Sequence, residues 1–204
     1  MEDIIRSVVL LLVLLNPFLI IVYLTDIVKK KTVKEFSKGL IWAGIISFTV
    51  FSLFAILGDA FFSNFFNASF ASFQIFGGIV FLLTSIQFVF KGSATIESLR
   101  GESKHIAGAI AMPVFIGPGT ISYSVIIGER LSKTNALLSI ALTVIICISI
   151  ILLLKYVHDK IQEKKEELIE QYFDIAGRVT AMLLGTVSIE LIMLGVIYWV
   201  NNKF

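Results

Sequence analysis

Six long stretches without a charged residue divide this chain, and they constrain its fold more than any other feature. They cover residues 7–25, 39–58, 60–90, 106–128, 134–154 and 179–200, the last interrupted only by Glu190. Each is long enough to cross about 30 Å of hydrocarbon as a helix that rises about 1.5 Å per residue. With 57% hydrophobic and 16% charged residues, the chain is too apolar for a soluble enzyme, a disordered segment or a nucleic-acid-binding protein. The pattern predicts an integral membrane protein.

An all-α polytopic fold follows from the bilayer, because a spanning segment must satisfy its own backbone polar groups and no stretch alternates as a barrel strand does. The predicted spanning helices cover residues 5–25, 39–60, 69–90, 106–128, 135–156 and 177–200. The connectors are too short for a soluble domain, so residues 1–204 are predicted to form a single transmembrane domain. The connector 157–176 is compatible with a short helix on the membrane surface or with a charged turn.

Lysine and arginine are distributed unevenly between the two sets of connectors. The first, third and fifth connectors and their edges hold 13 of these residues, and the opposite side holds 4. Loops rich in Lys and Arg stay in the cytoplasm. The bias therefore predicts a multi-pass protein of the cell membrane with both termini outside.

The three prolines interrupt two of the predicted helices. Pro17 lies in helix one, and Pro113 and Pro118 lie in helix four. Pro17 and Pro118 are 101 residues apart in a chain of 204. Each half of the chain therefore begins with a broken helix.

A second repeat supports this division. Helices three and six share Phe, Ile and Gly at equal spacing, in residues 73–77 and 173–177. The chain is thus predicted to consist of two three-helix repeats, about 1–100 and 101–204. Because three is odd, the second repeat enters the membrane from the opposite side, and the repeats are inverted.

Interrupted helices at corresponding positions of inverted repeats predict a transporter site at the membrane midplane. Proline removes a backbone donor and collides with the carbonyl one turn earlier. The sequences Asn16-Pro17 and Gly117-Pro118-Gly119 should therefore leave carbonyls unpaired before each break and N–H groups free after it. Helix N-termini suit a carboxylate, and freed carbonyls suit an ammonium group or a cation. The alternative is that the prolines are ordinary kinks, which are common in membrane helices.

Small and polar residues follow two further helix faces. In helix four these are Pro113, Gly117, Thr120 and Ser124, and in helix three Gln74, Gly78, Phe81 and Ser85. Such stripes fit a solute site, and they equally fit close helix packing. For the helix-six stripe we favour packing; its members are Gly177, Ala181, Gly185 and Ser188.

Two charged residues of helix six are candidates for coupling or gating. Glu190 is the only ionisable residue deep inside a predicted span, where a carboxylate marks an ion path or forms a structural hydrogen bond. Arg178 lies near the cytoplasmic end, where snorkelling to headgroups is the alternative. No metal site is predicted, because His105 and His158 lie in connectors without partners at metal-ligand spacing. No catalytic motif appears, so we predict that the protein is not an enzyme.

Several of these segments resemble the MarC family, also called SnatA-like proteins, which are six-helix membrane proteins. The resemblance covers essentially the whole chain. It is carried by Leu15-Asn16-Pro17, Phe76-Gly77-Gly78-Ile79, Ala111-Met112-Pro113, Gly117-Pro118-Gly119-Thr120-Ile121-Ser122, and Arg178 with Gly185 and Gly195. The family usually continues its first motif as N-P-x-G, whereas this chain has Phe18-Leu19.

The resemblance implies secondary active transport of small neutral amino acids, especially glycine and alanine, coupled to a gradient of Na⁺ or H⁺ and without a cofactor. The substrate carboxylate would meet N–H groups near Phe18 or Gly119 to Ile121, and its ammonium would meet carbonyls before the prolines. The expected substrate-binding residues are Asn16, Pro17, Phe18, Gln74, Gly78, Gly117, Pro118, Gly119, Thr120, Ile121 and Ser124. The expected partners are this solute and the lipid bilayer, with no nucleic acid, and small-residue faces permit a homo-oligomer. Efflux of another metabolite or drug, and a non-transporting membrane scaffold, are the alternatives.

Overall fold

The structure, a computed structural model, describes residues 2–24, 28, 31–66, 69–92, 115–160 and 166–203, and these residues form helices without any strand. The helices are α1 (Glu2–Leu15), α2 (Pro17–Tyr23), α3 (Val33–Leu57), α4 (Asp59–Phe66), α5 (Phe70–Lys91), α6 (Pro118–Arg130), α7 (Lys133–Lys160) and α8 (Glu166–Lys203). Five helical stretches of the described chain are long and apolar enough to cross a membrane. They are Glu2–Ile21, Val33–Leu57, Phe70–Lys91, Lys133–Lys160 and Asp174–Asn201. The predicted all-α membrane fold is thereby confirmed.

Three of the predicted helices agree with the structure in the parts that it describes. Helix one is broken at Asn16 into α1 and α2, and helix three is α5. The second part of helix four is α6, which begins at Pro118. The first part, with Pro113, lies outside the described residues.

The predicted range 39–60 for helix two is wrong at its start, because α3 begins at Val33. Thr32 and Glu35 form a capping box there: the Thr32 hydroxyl accepts from the Glu35 N–H, and the Glu35 carboxylate accepts from the Thr32 N–H. The helix therefore begins six residues before the uncharged stretch. The predicted connector 61–68 is also wrong, because residues up to Phe66 belong to α4.

The last two spanning helices are longer than predicted. Helix five, expected over 135–156, is the 28-residue α7, and helix six, expected over 177–200, is the 38-residue α8. Residues 166–176 continue the spanning helix α8 directly. They form neither a separate surface helix nor a turn, so both interpretations of this part of the connector are wrong.

The helices α5 and α8 pack antiparallel along a seam of small residues. Ser85 donates a hydrogen bond to the Ala181 carbonyl, and a Cβ on Gly185 would meet the same Ser85 hydroxyl. Further along the seam, a Cβ on Gly78 would lie 2.9 Å from the Ser188 carbonyl oxygen. At the other end, Gly177 lies against the Phe88 ring. The packing role predicted for the helix-six stripe is therefore confirmed.

The remaining helices assemble around this pair. The helix α3 packs against α6 and α7, and α7 also packs against α1. Two glycines permit these approaches: Gly128 of α6 lies against the backbone of Ala55, and Gly44 of α3 lies against the Ile148 side chain. Large apolar side chains cover the outside of the bundle, as the exposed Trp42 and Phe90 illustrate. An apolar exterior suits a lipid environment.

The seam predicts that Gly78→Ala destabilises the protein. The added methyl group would lie 2.9 Å from the Ser188 carbonyl oxygen and 2.6 Å from Ile192, so α5 and α8 must separate. We expect a loss of about 1–3 kcal/mol, the usual effect of overpacking. Thermal unfolding in detergent measures it, with Ile79→Ala on the exposed face of α5 as the control. Equal melting temperatures for both variants would contradict the seam.

Candidate functional site

The first break lies at Asn16, a buried residue with a left-handed backbone (φ 45°). This conformation ends α1, as asparagine does at helix C-termini. The Asn16 side-chain oxygen then accepts the Leu19 N–H at 3.1 Å and caps α2. Leu19 would otherwise donate to the Leu15 carbonyl, and Pro17 has no N–H for the Val13 carbonyl. The predicted release of carbonyls before the break follows from these contacts.

The side-chain amide of Asn16 has a fixed orientation. Its oxygen must face the Leu19 N–H, since a nitrogen there would place two donors together. The Thr180 hydroxyl of α8 lies 2.9 Å from the same oxygen, and it can donate there or to the Ala176 carbonyl of its own helix. The Asn16 Nδ2 is therefore turned elsewhere, and it is buried without a hydrogen-bond partner among the described residues.

The second break, at Gly117 and Pro118, is satisfied by a different side chain. The Thr120 hydroxyl accepts the Gly117 N–H at 3.0 Å and lies 2.9 Å from the Phe115 carbonyl, to which it can donate. Proline occupies the first position of α6, where no donor is needed. Both breaks are thus capped by a polar side chain that lies at the break or within its first turn.

The second break is pressed against α5. A Cβ on Gly77 would lie 2.9 Å from the backbone of Gly119 and of Pro118, so only glycine permits this approach. The Phe81 ring lies directly over Gly119 and covers the N-terminus of α6. Ser122, one turn further on, lies 3.5 Å from the Phe73 carbonyl oxygen and donates to its own helix at Pro118.

The α5–α8 pair relates the two breaks to each other. The first break contacts the part of α8 that packs against Ser85 and Phe88, and the second lies beside Gly77 and Phe81. Along α5 these levels differ by about seven residues, roughly 11 Å at 1.5 Å per residue. No hydrogen bond joins the two breaks within the described part of the chain.

The other residues predicted for the substrate site are distributed around these breaks. Phe18 and Ile121 are half-buried beside Pro17 and Thr120, and Ser124 donates to the Ile121 carbonyl of its own helix. Gln74 is buried on α5, one turn from Gly78. Gly78 itself belongs to the α5–α8 seam, where its lack of a side chain is explained by packing.

Arg178, a candidate for gating, forms local contacts. Its guanidinium donates to the Asp174 carboxylate at 2.9 Å and to the Val89 carbonyl at 3.1 Å. The Val89 carbonyl is in the last turn of α5, where a helix has no internal donors left. Arg178 thus caps α5 and ties its end to α8.

Glu190, the other candidate, lines a cavity of about 260 Å³ between α1, α6 and α8. Arg6 and Arg130 line the same cavity. These arginines lie near the first residue of α1 and at the last residue of α6. The cavity thus joins Glu190, inside the spanning stretch Asp174–Asn201, to the bundle end at which α1 begins.

Lys155 is a buried charge that no sequence pattern singles out. It is one of the 13 Lys and Arg residues assigned above to the cytoplasmic side, yet its side chain is 2% exposed. Its ammonium donates to the Asp159 carboxylate at 2.6 Å and to the Val28 carbonyl, 127 residues away in sequence. Lys155 thus holds Val28 against α7.

A family model described as MarC family integral membrane protein matches residues 1–200. No curated protein and no solved structure matches the chain.

Asn16 is predicted to tolerate glycine better than alanine. Asn16→Ala removes the cap of α2 and strains a left-handed backbone, and we expect a loss of about 1–2 kcal/mol. Asn16→Gly keeps the backbone relaxed and should cost a few tenths of a kcal/mol. Thermal unfolding of both variants in detergent measures the difference. The reverse order of stability would contradict the cap.

Lys155→Met is predicted to destabilise the protein by about 1–3 kcal/mol, because it leaves the buried Val28 carbonyl without its donor. The control is Lys160→Met, at the exposed end of α7, where the ammonium lies over the Tyr156 ring. Chemical unfolding in detergent measures both variants. A Lys155 variant as stable as the control would show that the buried contact contributes nothing.

Proposed function

The chain belongs to the MarC family of integral membrane proteins, and from this premise we propose that it is a secondary active transporter of small neutral amino acids, glycine and alanine above all. The substrate is held between the two helix breaks. Its movement is coupled to a gradient of Na⁺ or H⁺. The protein performs no chemistry on the solute and requires no cofactor.

The observation that carries this proposal is the unpaired Nδ2 of Asn16. Burial of a polar group without a partner costs about 1–3 kcal/mol, and such groups in native structures call for an explanation. A donor beside released backbone carbonyls offers complementary contacts to the two ends of a zwitterion. Its carboxylate would accept from Nδ2, and its ammonium would donate to the Val13 to Leu15 carbonyls.

The second break supplies the opposing surface. The helix α6 has 13 residues and begins at Pro118, so its N-terminus carries a partial positive charge that favours a carboxylate. The Phe81 ring covers this N-terminus. Access for a solute therefore requires that the ring turn aside. The closely packed Gly77 keeps the α6 terminus at the same depth while this happens.

Helix pairing supports the proposed inverted repeats. The third spanning helix of each half, α5 and α8, pack against each other, as do the second ones, α3 and α7. The helix α3 also packs against α6 of the other half, and α7 against α1. A two-fold axis in the membrane plane would exchange α5 with α8 and α3 with α7, and it would convert the α3–α6 contact into the α7–α1 contact. Rocking of one half against the other would then expose the site alternately to each side. In the orientation we propose, both termini lie outside the cell.

The transporter proposal predicts that glycine or alanine stabilises the detergent-purified protein. Binding to the folded state should add about 2.7 kcal/mol at a concentration 100 times the dissociation constant. Thermal shifts are measured with a panel of amino acids, with and without sodium and at two pH values. The shift should disappear in Asn16→Gly, which lacks the amide donor, and in Gly119→Ala, whose methyl group would collide with Phe81.

The control for this experiment is Thr49→Val, which removes a polar group from the exposed face of α3. It should respond to alanine as the unmodified protein does. No shift with any amino acid would refute the amino-acid site and favour a scaffold or another solute. An unchanged shift in both site variants would move the site away from the breaks.

A further inference from the structure

The cavity that holds Glu190 lies on the route between the bundle end and the second break. On α6 it extends from Arg130 inward to Tyr123, which is one turn, about 6 Å, from Gly119. On α1 it extends from Arg6 to Leu10. It therefore begins at the bundle end where α1 starts and α6 finishes, and it stops close to the proposed substrate site.

The charges around this cavity are not neutralised by one another. Arg6, Arg130 and Glu190 all line it, yet in the part of the chain that the structure describes neither arginine forms an ion pair with Glu190. Opposite charges that face a common space without closing on each other are free to bind a solute. Two guanidinium groups suit one carboxylate, and the Glu190 carboxylate suits one ammonium.

A further polar group, the Tyr123 hydroxyl, lies at the inner end of the cavity. Tyr123 is 6% exposed and lines the cavity, and its hydroxyl has no hydrogen bond among the described residues. The Thr186 hydroxyl, also at this end, already donates to the Met182 carbonyl. Tyr123 is thus the hydroxyl that is open to a solute.

Building on the proposed transport function, we propose that this cavity is a second binding site, a vestibule that takes the zwitterionic form of the amino acid before it reaches the helix breaks. Arg6 and Arg130 bind its carboxylate, Glu190 binds its ammonium, and Tyr123 receives it at the inner end. The volume of about 260 Å³ lies just below the range of drug-sized pockets, about 300–1,000 Å³. It fits a small metabolite.

The vestibule predicts a kinetic effect on alanine uptake into proteoliposomes. Arg130→Gln and Glu190→Gln each remove one charge from the cavity, and we expect at least a tenfold increase in KM with kcat changed less than twofold. The control is Lys133→Gln, which removes an exposed charge at the first residue of α7 and does not line the cavity. It should keep the KM of the unmodified protein.

Propionate, which has the carboxylate of alanine without its ammonium group, provides a charge-specific readout. Glu190→Gln removes the carboxylate that repels propionate, so propionate should inhibit alanine uptake at about tenfold lower concentration. Arg130→Gln should weaken the same inhibition. A merely structural role of these residues would not change the two effects in opposite directions.

Three results separate the possible failures. If the unmodified protein does not take up alanine, the transport function itself fails. If it does and both cavity variants keep its KM, only the vestibule is refuted.

Phosphatidylethanolamine also joins an ammonium to an anion, so uptake is compared in vesicles with this lipid and in phosphatidylglycerol vesicles. An effect of the substitutions confined to phosphatidylethanolamine would assign the cavity to a lipid headgroup and overturn the proposal.

Discussion

The structure depends on how a proline break is satisfied inside a bilayer, where no water replaces a lost backbone hydrogen bond. At the first break the Asn16 amide oxygen takes the Leu19 N–H, and at the second the Thr120 hydroxyl takes the Gly117 N–H. Each solution is local, so neither break needs a distant residue to form. What the local caps leave over, the Asn16 Nδ2 and the carbonyls before Pro17, is then available for another purpose.

The α5–α8 pair gives these breaks a rigid support. Its seam of small residues brings the two backbones close together, and Arg178 joins its end through the Val89 carbonyl. The first break contacts this pair through Thr180, and the second through Gly77. Both caps therefore contact the same helix pair. A substitution that separates α5 from α8 would displace both caps. Glycines lie in the seam and at the second break because the helices approach too closely for a side chain at both places.

Hydropathy and prolines were sufficient to predict the membrane class, the break at Asn16 and the limits of α5. These features depend on the chemistry of contiguous residues. The early start of α3 depends on the capping box formed by Thr32 and Glu35. Hydropathy averaged over a whole span does not detect such a pair. Lys155 illustrates a harder limit, because its burial depends on a carbonyl 127 residues away. The contact of the Phe81 ring with α6 is likewise tertiary, and the residue pattern of helix three does not predict it.

The polar groups change in character with depth, and this change fits the energetics of charge in a membrane. The cavity offers full charges from Arg6, Arg130 and Glu190 near the end where α1 begins, while the breaks further in offer a neutral amide and backbone dipoles. An ionised side chain is increasingly costly toward the bilayer centre, and an unpaired amide or carbonyl costs less to bury than a charge. A zwitterion that follows this route would exchange water for ionic partners first. It would exchange these ionic partners for amide and carbonyl dipoles only at the helix breaks. The desolvation penalty of the zwitterion is thereby divided between two smaller steps.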